Sequence, residues 1–197
     1  MMNFTDFLSK YYALTKQEEA QLTSALEYKR YLKGTLISTT GDVCKNILFV
    51  SEGSARSFFV SEDGQEYIWN FHINHPHSSF ENYFIVDYHS FLTGTPSHLS
   101  FEALTDLSVV CLSKTVLGQL LEVSAPMQKV AEIMTQNAYQ NAHQRAFSLL
   151  TKNATQRYGE VLENEPWLLN AFPNYLVAGY IGIAPQSLSR IRKSIDL

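Results

Sequence analysis

Between residues 31 and 113, short β-rich runs alternate with glycine turns, and this rhythm restricts the possible folds more than any other feature of the chain. Turn pairs recur at Gly41–Asp42, Glu52–Gly53 and Asp63–Gly64. The segment SEDGQ, flanked by two β-rich runs, predicts a hairpin. Within the run that follows, Tyr67, Trp69 and Phe71 alternate and are expected on one face. Further strands are predicted over 98–104 and 107–113. Strands this short, with no helices between them, predict an antiparallel sandwich or barrel.

Helical patterns flank this region on both sides. Residues 5–30 have the apolar spacing of a helix, and 114–122 predict a short one. Beyond Pro126, which suits a first helical turn, apolar residues recur every three or four positions. Such a stripe must be buried, so we predict that the helix pairs with a second copy of itself, with packing on the β domain as the alternative. The predicted dimer-interface residues are Met127, Ala131, Met134, Ala138 and Ala142.

The composition favours a folded protein that acts in the cytoplasm. Of 197 residues, 45% are hydrophobic, which supports a real core. The first residues lack the basic and apolar regions of a signal peptide. No stretch reaches the roughly 18 apolar residues of a membrane span, so no membrane partner is expected. Cys44 and Cys111 have no motif spacing and are predicted to be reduced thiols.

The segment NYLVAGYIGIAPQSLSRIRK, residues 174–193, has the pattern of a helix-turn-helix motif. Ala178 supplies the small residue where the two helices meet, and Gly182 tolerates the positive φ of the turn. Pro185 begins the second helix, where its missing N–H costs nothing. These features make residues 174–193 the candidate DNA-reading element.

Placed at about 100° per residue, the second helix carries its cations opposite its apolar residues. Glutamine pairs with adenine and arginine with guanine, whereas serine and lysine suit phosphate oxygens. The predicted DNA-binding residues are Gln186, Ser187, Ser189, Arg190 and Lys193. Arg192 falls near the buried flank and is expected to contact a phosphate or a carboxylate of its own domain. The alternative is an ordinary amphipathic helix with a solvated basic face.

The terminal segment YIGIAPQSLSRIRKS resembles the recognition region of the Crp/Fnr family of bacterial transcription regulators. KGTLISTTGD and LFVSEGSARSFFVSEDGQE resemble the early strands of that family's cyclic-nucleotide-binding-like roll, in the style of divergent Bacteroidetes-type members. The resemblance implies an α+β fold: a jelly-roll-like antiparallel β-roll, a long dimerisation helix and a C-terminal helix-turn-helix domain. The implied boundaries are 1–122, 123–152 and 153–197.

The resemblance also implies the function. We expect a cytoplasmic homodimer without catalytic activity that binds double-stranded DNA and regulates transcription, with RNA polymerase as a candidate partner. Two features depart from the family pattern. No β-wing hairpin follows the motif, and the recognition helix opens Pro-Gln where the best-known members have Arg-Glu, so their operator cannot be transferred.

The family's phosphate cassette combines a Gly-Glu pair with an arginine followed by serine or threonine. Residues 58–113 contain neither lysine nor arginine, and Glu81 and Asp87 would repel a phosphate. We therefore predict that cAMP and cGMP are not ligands. Aromatic side chains could line a pocket for an unknown small-molecule effector, although core packing is the favoured alternative. The candidate pocket residues are Phe58, Tyr67, Trp69 and Phe71.

A metal enzyme is the rival interpretation. His75, His77 and Glu81 have the HxHxxxE spacing of the first metal-binding motif of cupins, and such ligands suit iron, manganese or zinc. Residues 65–93 contain no glycine to flank this motif, and His89 or His98 would have to supply the fourth ligand without a recognisable second motif. Two distant cysteines cannot hold an iron–sulfur cluster. A haem would need an axial histidine or cysteine, which the six histidines leave open without supporting it, and no cofactor is predicted.

Overall fold

The computed structural model describes residues 2–13 and 15–195. Two short helices open the chain, α1 at Phe4–Ser9 and α2 at Lys16–Ala25. A capping box between Thr15 and Glu18 starts α2 afresh, and Glu27–Tyr31 is already strand β1. The single helix predicted over 5–30 is therefore wrong. The N-cap at Thr15 divides the predicted helix, and the last residues of the predicted segment pair with β8 in a sheet.

Within the described residues, eight strands form two antiparallel four-stranded sheets, in the orders β1-β8-β3-β6 and β2-β7-β4-β5. The predicted antiparallel architecture is confirmed, and β8 has the predicted bounds. After β1, the strands are β2 Leu36–Ser38, β3 Asn46–Glu52, β4 Ser54–Val60, β5 Glu66–Ile73, β6 Phe84–Ile85, β7 Ser100–Ala103 and β8 Leu107–Ser113. A 3-10 helix, Phe80–Tyr83, and helix α3, Tyr88–Thr93, lie between β5 and β7.

The remaining helices complete the chain: α4 Lys114–Val123, α5 Ala125–Thr151, α6 Ala154–Asn164, α7 Leu168–Ala171, α8 Asn174–Ile181 and α9 Pro185–Ile195. The 27 residues of α5 give the long helix that the apolar stripe predicts. None of the helices within 2–13 and 15–195 is long and apolar enough to cross a membrane.

The β4–β5 hairpin turns as predicted but contains an irregularity. The Ser61 N–H donates to the Gln65 carbonyl at 2.9 Å, and Gly64 takes a φ of 79° in the turn. Ser57 pairs with Asn70 and Phe58 with Ile68, which leaves Trp69 as the extra residue of a β-bulge. The bulge reverses the alternation, so Phe71 joins Ile68 in one buried cluster. The expectation that Tyr67, Trp69 and Phe71 share a face is therefore wrong.

Two hydrophobic clusters hold the roll together. One lies inside it, around Val50, Phe101 and Val109. Another joins α1 and the start of α5 to the roll, with Phe7 packed among the rings of Phe49, Tyr83 and Phe84. Burying each such aromatic side chain stabilises the fold by roughly 1.5–3 kcal/mol. The long helix is thereby fixed to the roll at its N-terminal end.

Candidate nucleic-acid interface

Helices α8 and α9 meet at the turn that the sequence predicts. Gly182 ends α8 in the left-handed region, at φ 75° and ψ 41°. The Ile183 N–H donates to the Ala178 carbonyl at 3.0 Å, and the Gly182 N–H to the Gly179 carbonyl at 3.2 Å. A Cβ at residue 182 would be strained in this conformation. Ala178, fully buried, lets the two helices approach closely.

The polar face of α9 is mostly exposed to solvent. Leu188 is buried against α8, and Ile191 packs partly against the same cluster. Gln186, Arg190 and Lys193 are exposed on the other side. Ser189 is also exposed, and Ser187 is half-buried. The structure thus brings the five predicted DNA-binding residues onto one helix, four of them exposed to solvent.

Arg192 has a partner inside its own domain, as its place on the helix suggests. Its Nη1 donates to the Asn174 Oδ1 at 2.8 Å, so the acceptor is an amide rather than the expected carboxylate. Asn174 is the first residue of α8, and the contact braces the two helices of the motif against each other. A groove of about 250 Å³ beside this contact is also lined by Ser189 and Lys193.

Two arginines outside the motif hold the C-terminal end of α8. Arg145 of α5 donates from Nη2 to the Tyr180 carbonyl, and its Cζ lies 4.0 Å from the centroid of the Tyr180 ring. Arg157 of α6 donates from Nε to the Ile181 carbonyl at 2.7 Å. Carbonyls in the last turn of a helix lack intrahelical partners, and cations near that end are favourable. Sequence reasoning missed both residues, although each is a cation close to a predicted apolar stripe.

The C-terminal helices share a core with the roll. Phe172 stacks on Phe71 of β5, and Trp167 stacks on His75 with ring centroids 5.1 Å apart. Gly179 of α8 passes close to β5, where a Cβ would lie 3.4 Å from the Ile68 Cγ1. A Cβ at residue 179 would thus make ordinary van der Waals contact with the sheet, which shows how closely α8 packs on β5.

Near this shared core, Glu165 lies in a largely desolvated position. Burial raises the pKa of its carboxyl above the ordinary value of 4.5. The Tyr180 hydroxyl, which donates to its Oε2 at 3.0 Å, and the charge of Arg145 act in the opposite direction. Burial lowers the pKa of Arg145 in turn. The junction of α5, α6 and α8 therefore contains an acid and a base that are both partly withdrawn from water.

A cavity of about 1220 Å³ lies between the roll, α5 and the C-terminal helices. Of the four candidate pocket residues, Trp69 lines it. Phe58 and Phe71 belong to the core shared with the C-terminal helices. Tyr67 stacks on Phe59, with ring centroids 5.2 Å apart. The structure therefore separates the four aromatic residues, and for Phe58 and Phe71 the core-packing alternative holds.

At the roll side of the cavity, a carboxylate occupies the start of α3. Asp87 accepts a hydrogen bond from the Ser90 N–H at 3.2 Å and another from the Ser97 Oγ at 2.7 Å. It is 8% exposed. The N-terminal amides of a helix are natural donors to an anion. Here the protein supplies that anion itself, within the segment that the resemblance to the Crp/Fnr family assigns to the phosphate cassette.

The structure describes two of the three candidate metal ligands, His75 and His77. The His75 Nδ1 accepts from the His77 N–H at 3.3 Å, and the His75 ring is stacked on Trp167. No group of three or more histidine, cysteine, aspartate or glutamate side chains suited to a metal occurs in the described part of the chain. The side chain of Glu81 lies outside that part. In this structure His75 has a packing role.

The predicted dimer residues on α5 divide into two groups. Met127 is buried in the protomer's own core and Met134 packs against it, so for these two the alternative of packing on the β domain holds. Ala131 and Ala138 are half-buried, and Ala142 is exposed. A ladder of rings on the outer side runs from Tyr139 through His143 to Phe147, with centroids 6.1 Å and 6.4 Å apart. Exposed apolar residues on this side are Tyr139, Phe147 and Leu150.

Comparison with known proteins shows which fold the chain shares with others. Residues 28–124 match the family model of the cyclic nucleotide-binding domain. Electron transport regulator A of Shewanella oneidensis is 23% identical over 196 residues, covering 91% of this chain and 73% of that protein. FixK2 from Bradyrhizobium japonicum is 20% identical and matches with a TM-score of 0.70 over 87% of this chain and 84% of its own. A protein from Eubacterium rectale described as a transcriptional regulator of the crp/fnr family is 15% identical, with a TM-score of 0.66 over 93% of this chain and 84% of its own. The resemblance in fold that the sequence predicts is confirmed.

Proposed function

We propose that this chain, which has the fold of the Crp/Fnr family of transcription regulators, is a cytoplasmic, sequence-specific DNA-binding regulator that acts as a dimer without catalysis. The observation that carries the proposal is the exposed cationic face of α9, directly after a glycine turn that fixes its direction. The chain has a net charge of −4, so this local face rather than the whole surface must attract DNA. The finer assignment to Bacteroidetes-type members and a contact with RNA polymerase stay predictions.

The side chains on α9 divide into two roles. Gln186 and Arg190 are exposed near the start and middle of the helix, and their forked or bidentate donors and acceptors match base edges. Ser187, Ser189 and Lys193 suit phosphate oxygens, which set the position of the helix in the groove. Arg192 holds α9 on α8 through Asn174 and would keep this presentation rigid. A recognition helix in the major groove would use these side chains together.

The proposed dimer forms along α5. Its outer side carries large apolar side chains that a second copy would cover: Tyr139, Phe147 and Leu150. Ala138 and Ala142 border the open cavity together with Tyr139, so the proposed interface would begin at the edge of the cavity. Met127 and Met134 would contribute indirectly, because they fix the helix on the roll. Two recognition helices related by a two-fold axis would then reach successive major grooves, about 34 Å apart, on an inverted repeat.

The proposed regulator does not use cAMP or cGMP. The carboxylate of Asp87 already accepts hydrogen bonds from the Ser90 N–H in α3 and from the Ser97 hydroxyl. A phosphate placed there would meet a buried negative charge. The arginines that line the cavity, Arg145 and Arg157, both donate to backbone carbonyls near α8. If a small-molecule effector exists, the cavity beside Trp69 is its proposed site, and its chemistry is not that of a cyclic phosphate.

Selection of bound sequences from random duplex DNA tests the proposal. The wild-type protein should enrich an inverted repeat, whereas the double variant Gln186→Ala, Arg190→Ala should enrich none. Lys33→Ala removes an exposed cation from the loop before β2 and serves as the matched control, which should select the same repeat as the wild type. If the wild type enriches no sequence, or the double variant enriches the same one, the proposed function is wrong.

A further inference from the structure

A single guanidinium joins the three parts of the protein. Arg145 lies on α5, and its Nη2 donates both to the Ile68 carbonyl of β5, at 3.1 Å, and to the Tyr180 carbonyl of α8. Its Nε is buried and has no acceptor among the described residues. A buried cation held by neutral acceptors costs desolvation free energy that hydrogen bonds offset only in part. The hydrogen bonds of Arg145 are to neutral carbonyls, and the nearby Glu165 interacts with it through charge without a hydrogen bond between them.

Each of the two carbonyls lies close to a break in regular structure, which is the β-bulge at Trp69 or the turn at Gly182. Ile68 precedes Trp69, the extra residue of the β-bulge, whose side chain lines the large cavity. Tyr180 lies in the last turn of α8, two residues before the Gly182 turn that leads into α9. Bulges re-aim side chains and interrupt the ladder, so β5 can shift here at lower cost than in a regular strand. Arg145 thus links the cavity wall to the turn of the recognition motif.

We propose that Arg145 couples the position of the Trp69 bulge to the orientation of α9. When Trp69 moves, the adjacent Ile68 carbonyl moves with it, and the shared Nη2 must either follow or lose that bond. If it follows, its bond to the Tyr180 carbonyl pulls on the end of α8. If the bond breaks, α8 loses its attachment to β5 through Arg145. The made and broken states of this bond form the two-state element that transmission between distant sites requires.

Arg157 provides an internal comparison. It donates to the neighbouring carbonyl of α8, that of Ile181, and to the Lys152 carbonyl at the end of α5. These acceptors belong to the helical part of the protein and not to β5. Arg157 therefore donates to a carbonyl at the end of α8, as Arg145 does, but both of these acceptors lie outside the roll. Removing either arginine should loosen α8, but only the loss of Arg145 should also loosen β5.

Amide hydrogen exchange on the full chain without DNA tests the coupling, so its outcome is independent of the proposed function. Arg145→Met should raise exchange by about tenfold in peptides covering both 66–73 and 174–181, the effect expected on losing hydrogen bonds to a charged donor. Arg157→Met should raise exchange in 174–181 alone. Equal effects of the two variants on β5 would overturn the proposal. Arg145→Lys, which keeps the charge but not the forked geometry, should show the same pattern more weakly and covers the case in which the methionine variant does not fold.

A double-mutant cycle tests transmission itself. Trp69→Ala should raise exchange in 174–181 when Arg145 is present and should add nothing to it in the Arg145→Met background. If the two substitutions had additive effects on exchange in α8, the change at Trp69 would be transmitted to the motif through other contacts. The proposed role of Arg145 would then be wrong.

Discussion

The rings of Phe71 and Phe172 lie nearly parallel, with centroids 4.0 Å apart and planes inclined by 11°. Phe71 belongs to β5 of the roll and is fully buried, and Phe172 lies two residues before the helix-turn-helix segment and is 6% exposed. One hydrophobic cluster therefore includes residues from both parts. The boundary between 123–152 and 153–197 stays a prediction, but the C-terminal helices do not have a core of their own that is separate from the roll.

This stack leads to the first prediction. Phe172→Ala should lower the free energy of unfolding by about 3–5 kcal/mol, because it leaves a cavity beside a ring that cannot move. Urea denaturation followed by circular dichroism measures the loss. Phe59→Ala removes a ring of which 37% is exposed and should cost clearly less. Equal losses for the two variants would show that the deeper burial of Phe172 does not determine the cost of its removal.

Features defined by neighbouring residues could be predicted from the sequence. The hairpin at 61–65 depends on Asp63 and Gly64, and the turn before α9 on Gly182, because a positive φ is a local requirement that glycine meets. The face of α9 likewise follows from helical periodicity alone. These features define the fold class and the candidate DNA-reading residues.

Features that join distant segments could not be predicted in the same way. Arg145 contacts Ile68 across 77 positions, and no local pattern indicates that pairing. The bulge at Trp69 adds one residue to a strand and reverses which side chains face the core, although the alternation of apolar residues continues through it. The helix predicted over 5–30 failed for a related reason: the residues of β1 have little preference of their own, and pairing with β8 decides their conformation.

The exposed apolar side of α5 leads to a prediction about assembly. Phe147→Asp, in a side chain that is 57% exposed, should convert the proposed dimer into monomers because like charges would meet across a two-fold axis. Sedimentation velocity measures the change. Ala20→Asp adds the same charge to an exposed position on α2 and should leave the dimer intact. Met134→Asp is a poorer test, since Met134 packs against its own protomer's core. A Phe147→Asp protein that stays dimeric would place the interface elsewhere.

The buried Glu165 leads to a prediction about pH. Because burial raises the pKa of its carboxyl above 4.5 in the folded state, the folded protein holds that proton more tightly than the unfolded chain. Its contribution to stability is therefore full below 4.5 and is lost as the pH rises through the folded pKa. Glu165→Gln keeps an acceptor for the Tyr180 hydroxyl and should remove this loss. The stability of the variant relative to wild type should increase from acid toward neutral pH in urea titrations, and a constant difference would contradict the assignment.

The capped start of α3 leads to a prediction about ligands. Calorimetry with cAMP or cGMP at millimolar concentration should detect no binding to the wild-type protein. The Ser90 N–H and the Ser97 hydroxyl already donate to Asp87, whose charge would repel a phosphate. Asp87→Asn keeps an N-cap and a hydrogen-bond acceptor but removes the charge, whereas Asp87→Ala also removes the cap and should cost about 1 kcal/mol of stability. Stoichiometric binding of either nucleotide to the wild type would overturn the argument from charge.

The last prediction separates base reading from backbone anchoring on α9. Arg190→Ala should weaken binding to the selected site by about 1–3 kcal/mol and relax one base position in each half-site, because an exposed arginine at that position can pair with guanine. Lys193→Ala should weaken binding to all sequences nearly equally and lower the salt dependence, since a phosphate contact carries no sequence information. Arg192→Ala should differ from both, because it breaks the bond to Asn174 and loosens α9 on α8. Fluorescence anisotropy with selected and random duplexes at several salt concentrations distinguishes the three patterns. If Arg190→Ala lost the same proportion of affinity for selected and random DNA, Arg190 would be a backbone contact rather than a base-reading residue.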